Sequence, residues 1–238
     1  MILTPDELIV FTVGTLEVNA TLVFSWLVMA VLVVVSALVT RGLTASEGMS
    51  GGQNVLEAVV TFILDQIRDV TQQDAEPYLP FVGTLFLFIL TSNLLSVIPG
   101  FQPPTGSITT TAALALAVFL AVPYFGVRRV GLRAYLRNYL QPTPLMLPFT
   151  IIGEVTRTLS LAIRLFGNIM SGTVIVAILL SIAPLFFPVI MEAFGLLIGV
   201  IQAYIFAILA IVYIASGTEE TTRHASQGAG SEEQGGNG

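Results

Sequence analysis

Between Gly153 and Gly172 the chain reads GEVTRTLSLAIRLFGNIMSG, and this stretch holds the residues best suited to chemistry. Glu154, Arg157, Ser160, Arg164, Asn168 and Ser171 recur at steps of three or four, which lines them along one face of a helix. Glu154 is placed to pair with Arg157. Arg164 has Ser160, Leu161, Gly167 and Asn168 at the positions three and four residues away, so its own helix offers no acid. The flanking residues are apolar over long runs. An arginine at mid-bilayer costs about 2.5–3.5 kcal/mol on insertion scales, and a guanidinium cannot escape by losing its proton. A snorkelling side chain or a buried ion pair is the plain explanation. It serves Arg157, near the helix end, better than Arg164, which lies deeper.

A second polar stripe follows: Glu192, Gly195, Gly199 and Gln202. In an antiparallel pair of helices, Gln202 reaches a depth similar to that of Arg164, with Glu192 nearer the outer face. An acid at an entrance, then an amide, then a fixed cation, describes a route for a small cation. Ser160, Ser171, Thr173, Glu154, Arg157 and Asn93 are candidate lining residues for that route. The plainer reading of Gly195 and Gly199 is close helix packing, and that of Asn93 and Thr109 to Thr111 is helix–helix hydrogen bonding.

Composition dictates the surroundings. Of 238 residues, 55% are hydrophobic and only 10% charged, with a mean hydropathy of +0.89. Soluble domains carry charge on about a quarter of their residues, so this chain is read as an integral membrane protein. There is no cysteine, and the one histidine, His224, lies in a polar tail. Disulfides, cysteine nucleophiles and histidine metal clusters are thereby excluded. No Walker loop, His-Glu-x-x-His or Gly-x-Ser-x-Gly is present, and no cofactor, metal or nucleic-acid partner is expected. The N-terminal MILTPDELIV has acids where a signal peptide has cations.

The elements that must position the polar residues follow from apolar runs of about 20 residues, the length that crosses a bilayer. The pattern predicts an all-α polytopic membrane protein: one membrane domain over 1–216, with spans near 20–39, 81–98, 108–127, 148–183 and 188–216. A helix over 148–183 would be on the order of 50 Å long, against a hydrocarbon core of about 30 Å. The last two spans are therefore predicted to form a steeply tilted hairpin. Over 54–72, Leu56, Val59, Val60, Ile63, Ile67 and Val70 recur at helical spacing with charges elsewhere, which predicts an amphipathic helix on the membrane surface. Residues 217–238 are polar and glycine-rich and are expected to be a disordered cytoplasmic tail. All nine basic residues are arginine. With the N-terminus outside, Arg41, Arg68, Arg128, Arg129, Arg133, Arg137 and Arg223 all fall on the cytoplasmic side, a positive-inside pattern.

The segments SLAIRLFGNIMSG and IQAYIFAILAIVYIAS, preceded by TLFLFILTSNLLSVIPG and PPTGSITTTAALALAVF, resemble subunit a of F-type ATP synthases, in order, over Gln53 to Ser216. The resemblance implies a non-catalytic Fo subunit of a bacterial-type inner membrane. Its partners would be a rotating ring of c subunits, each with a membrane carboxylate, the peripheral-stalk b subunits and the rest of the synthase. It places the family's essential arginine at Arg164, its final-helix glutamine at Gln202 and an asparagine at Asn168. Two half-channels would deliver ions to the ring and remove them, with the arginine between the paths. Two positions depart from the family pattern: Thr173 stands where an acid or histidine is frequent, and Gly195 where a histidine or glutamate is. Glu192, the only acid of the last span, is expected to supply the missing ionisable group. Protons are the expected ion and sodium the alternative. A free-standing secondary transporter would show internal repeats, which are not seen, and an intramembrane enzyme would need a nucleophile–base or metal pair at membrane depth.

Overall fold

A computed structural model describes residues 9–13, 16–41, 51–72, 74–98, 100–133, 135, 147–182 and 187–234. Six α-helices dominate it: α1 (Ala20–Thr40), α2 (Gly51–Thr71), α3 (Leu79–Leu95), α4 (Ile108–Val130), α5 (Leu147–Ile182) and α6 (Phe187–Gln234). A short 3₁₀ turn, Pro104–Gly106, joins α3 to α4. The protein is an all-α polytopic membrane protein. Among the described residues four helices are long and apolar enough to cross a membrane, and α3 is a shorter apolar helix. Ahead of α1, the strands β1 (Ile9–Val13) and β2 (Leu16–Asn19) pair antiparallel as a small hairpin, which the apolar-run pattern does not anticipate.

The core is where α6 meets its neighbours. This helix packs against α2, α3, α4 and α5. Its Ala203, Phe206, Ala210, Ile211 and Ile214 are buried together with Leu85 and Ile89 of α3, Val118 of α4 and Leu161 and Leu165 of α5. Alternating small and large side chains on α6 let several helices approach one stem. By contrast α1 buries only Ala20, Thr21 and Val28 and leaves Trp26, Val33 and Leu38 exposed. Such an all-round apolar helix suits lipid or another membrane helix.

Local chemistry sets the boundaries. Ser107 caps α4, its hydroxyl accepting from the backbone N–H of Thr109 (3.2 Å) and Thr110 (3.5 Å). Gly131 ends that helix with φ +84°, a left-handed conformation that glycine adopts without penalty. The third helix stops at Leu95, three residues short of the expected span end. Pro99 follows, and the residue before a proline is driven out of the helical region. The last turn is accordingly tightened, with Ser96 N–H bonded to Asn93 O at 3.2 Å and Ile98 N–H to Leu95 O at 3.0 Å.

Three other features differ from what the sequence pattern suggests. The apolar stripe of α2 is seated on protein, with Ile63 and Ile67 buried in the common core and Val59, Leu64 and Val70 packed against it. The final helix does not stop at Ser216 but runs to Gln234, through most of the segment expected to be disordered; no proline after Pro188 is present to end it. Thr111 bonds back to Ser107 O and Ile108 O instead of bridging helices. The turn between α5 and α6, including Ala183 and Pro184, and the Arg137 segment lie outside the described residues.

Candidate functional site

Chain alternation brings the end of α3, the start of α4, the end of α5 and the start of α6 to one side of the bundle. The start of α3, the end of α4, the start of α5 and the distal part of α6 come to the other. Two hollows with polar side chains in their walls flank the α5/α6 pair at these opposite ends.

The first, about 250 Å³, is lined by Ser96, Gln102, Gly106, Thr173, Glu192 and Gly195, among others. It unites Thr173 and Gly195 with Glu192, the acid expected to serve near them. The Thr173 hydroxyl donates to Ile169 O at 3.0 Å, so its lone pairs remain available to the hollow. Gln102 contributes a side-chain Oε1 that is buried without a hydrogen-bond partner among the described residues. Gln102 was not singled out from the sequence: in GFQPPTG it reads as an ordinary loop residue between turn formers.

The second hollow, about 320 Å³, is lined by residues of three helices, including Thr150, Glu154, Arg157, Thr158, Tyr213 and Ser216. The Arg157 guanidinium lies over the Tyr213 ring, 5.7 Å from its centroid, an attraction of about 0.5–1 kcal/mol at an exposed site. Spacing suggests a Glu154–Arg157 pair; the structure gives Arg157 this aromatic neighbour from α6, which one-helix periodicity could not reveal.

Arg164 belongs to neither hollow. It is exposed, as are its neighbours Ser160 (one turn back) and Ile163, and it makes no ion pair or hydrogen bond with any described residue. It lies six residues after Thr158, the last α5 residue of one hollow, and five before Ile169, the first of the other. At 1.5 Å per residue these intervals are about 9 Å and 8 Å. The two hollows share no lining residue. Asn168 is half-buried one turn beyond Arg164, and the Ser171 hydroxyl bonds to Asn168 O at 3.0 Å. The face of α5 that carries Arg164 is uncovered, with Gly153, Arg157, Ser160, Gly167 and Ser171 exposed, and an apolar flank beside it leaves Ile152, Leu159 and Ile163 each more than half exposed.

Gln202 lies inside the bundle, 6% exposed, and its Nε2 has no hydrogen-bond partner among the described residues. Asn93 has a structural tie. Its Nδ2 donates to the Gly199 carbonyl at 2.8 Å, and its Oδ1 accepts from Thr105 at 3.3 Å. Gly199 makes that approach possible, because a Cβ there would sit 2.9 Å from Asn93 Cβ. Gly195, on the same stripe, has nothing within 4 Å of its would-be Cβ and faces the first hollow instead.

The pattern of the family described as ATP synthase A chain matches residues 22–215. The chain belongs to that family. It is 64% identical over 219 residues to ATP synthase subunit a 2 of Acaryochloris marina (strain MBIC 11017), covering 92% of this chain and 94% of that protein. Identity to ATP synthase subunit a of Albidiferax ferrireducens (strain ATCC BAA-621 / DSM 15236 / T118) is 56% over 218 residues, 92% of this chain and 94% of the relative. That to ATP synthase subunit a of Nitrosospira multiformis (strain ATCC 25196 / NCIMB 11849 / C 71) is 51% over 235 residues, 99% and 93% respectively. Within the ATP synthase A chain match fall the first hollow, all of the second but Ser216, Arg164, Asn168 and Gln202, and nearly all of the core. Apolar helices and family together make the chain a multi-pass membrane subunit that works with other ATP synthase subunits.

Proposed function

We propose that this chain is the non-catalytic, ion-translocating stator subunit of an F-type ATP synthase. The observation that carries the reading is the exposed Arg164, without a partner among the described residues, on an uncovered face with an apolar flank between two separate hollows. A ring of c subunits with membrane carboxylates is the partner that fits this face. An ion entering the hollow at Glu192 neutralises a carboxylate, which then moves through lipid. The second hollow, near Glu154 and Arg157, collects the released ion. A carboxylate facing Arg164 is held ionised, since a nearby fixed cation favours the charged form, so it must give up its ion before passing. The membrane potential supplies about 2.3 kcal/mol per elementary charge for each 100 mV.

Asn168 and the amide of buried Gln202, which has no Nε2 partner among the described residues, offer further hydrogen bonds along this route, and Ser160, Ser171 and Thr173 add hydroxyls. The N-terminus is placed outside and the C-terminus in the cytoplasm of a bacterial-type inner membrane, on the distribution of arginines. The exposed flank of α1 is the face offered to lipid or to the membrane helices of peripheral-stalk b subunits. Protons are the ion of this reading. A sodium-translocating version is the second reading, favoured by the neutral oxygens of Ser96, Gln102 and Thr173 around the single carboxylate of Glu192; protection of the complex from a carboxylate-modifying carbodiimide by sodium distinguishes them.

The test is Arg164→Ala in the assembled complex. In inverted vesicles, ATP-driven pumping is expected to be abolished while the complex remains assembled. Retained coupled pumping overturns the mechanism.

A further inference from the structure

A third hollow belongs to neither ion path. It measures about 820 Å³ and is lined by Arg68, Gln72, Asp74, Pro77, Tyr78, Phe125, Arg128 and Arg129. Three elements build it: the end of α2, the connector into α3 and the last turns of α4. Because α3 begins here and α4 ends here, the hollow sits where two apolar helices leave the membrane on the same side.

Its walls divide by chemistry. Tyr78 and Phe125 are buried, with ring centroids 5.0 Å apart, and with Pro77 they make an apolar floor. Arg68, Arg128 and Arg129 are exposed above it, three cations against the single carboxylate of Asp74. Among the described residues Arg68 is engaged only by Asp65, at 3.5 Å and with both side chains 57% exposed, a surface pair too weak to occupy it. Arg128 and Arg129 also complement the C-terminal dipole of α4, but that does not explain why Arg68 of another helix faces the same space. Gln72, on the rim, holds a left-handed φ of +51°, which ends α2 and turns the chain around the hollow.

A ridge leads away from this cationic mouth. On α4, Leu116, Leu120 and Tyr124 are each more than half exposed and stand at i+4 intervals that end at Arg128. The sequence along one helical row is thus apolar, apolar, interfacial aromatic, cation. That order matches the profile of a phospholipid from acyl chain to headgroup, with tyrosine at the headgroup level and basic side chains beyond it.

We propose that this hollow binds the phosphate headgroup of an anionic phospholipid, phosphatidylglycerol in class, with its acyl chain lying along the Leu116–Leu120–Tyr124 ridge. The site depends on neither the direction of ion flow nor the identity of the ion. Asp74 lowers the pull on any anion but leaves a net positive mouth for a phosphodiester.

The experiment uses the whole purified complex in phosphatidylcholine nanodiscs with stepwise added phosphatidylglycerol, and lipid retained after detergent washing is counted by mass spectrometry. Arg128→Gln with Arg129→Gln is expected to weaken phosphatidylglycerol retention roughly thirtyfold, the effect of removing two charges worth about 1 kcal/mol each. The Lys pair at the same positions should restore most of it. Retention unchanged in the Gln pair, or phosphatidylcholine held equally well, overturns the proposal. So does displacement by inorganic phosphate, which would make the site one for a soluble anion. Loss of another subunit with lipid unchanged would assign the hollow to a protein partner and also overturn it.

Discussion

Gly195 and Gly199 look equivalent as a sequence pattern, one turn apart on the same stripe, yet the structure assigns them opposite responses to a single methyl group. A Cβ at Gly199 would lie 2.9 Å from Asn93 Cβ and 3.2 Å from its Cγ and Nδ2, against an optimum of about 3.5–4.0 Å for carbon pairs. The contact must open by several tenths of an ångström. Overpacking of this kind costs about 1–3 kcal/mol. Stretching the 2.8 Å Asn93–Gly199 bond forfeits part of the ~0.6–1.7 kcal/mol measured for bonds between membrane helices. Alanine returns about 0.5–1 kcal/mol in helix propensity. Gly199→Ala should therefore destabilise by about 1–3 kcal/mol. Gly195→Ala meets nothing within 4 Å, so only the propensity gain remains, and the two variants should differ by about 2–4 kcal/mol. The temperature at which the chain is lost from the purified complex measures the difference. Equal shifts would mean that α3 and α6 do not approach at Gly199, and would refute the packing described for Asn93.

Glu192→Gln should lower ion-driven ATP synthesis at least about tenfold with the complex intact, whereas Glu192→Asp should keep much of it; near-normal synthesis in the Gln variant would remove Glu192 from the ion path. Tyr204→Phe deletes the hydroxyl that bonds Gln66 Oε1 at 2.6 Å, the polar link between α6 and α2. It should cost about 0.5–1.5 kcal/mol and speed limited proteolysis of α2, with pumping in surviving complexes unaffected; unchanged cleavage would show that the apolar stripe alone seats this helix.

Much of the fold is legible because lipid imposes a strong rule: a spanning segment must satisfy its own backbone and hide few charges. Long apolar runs therefore announce α1, α4, α5 and α6 without help from tertiary contacts. Less legible is whatever depends on which protein surface an element meets. Amphipathic spacing in α2 signals a buried stripe, but not that Ile63 and Ile67 face a helical stem. Nothing in the run of residues 9–19 separates a strand hairpin from an extended lead-in. The same division holds at the candidate site. The absence of an acid near Arg164 on its own helix is a local fact and can be counted along the chain. Gln102 and Tyr213 enter only through contacts across more than 50 residues of sequence, and no single-helix period carries that information. Asn93 illustrates the converse: its type and depth suggest either an ion path or a helix tie, and the 2.8 Å bond to Gly199 favours the tie.

The outward-facing Arg164 also bears on how such a chain survives before assembly. Alone in a bilayer it presents a permanent charge to lipid tails, at a cost of about 2.5–3.5 kcal/mol. A covering partner that carries a carboxylate relieves that cost, which favours the assembled state by roughly two orders of magnitude. The residue proposed to direct ions thus doubles as a mark of orphanhood: a newly inserted copy that finds no partner is the less stable species, and the one most open to membrane proteases during biogenesis.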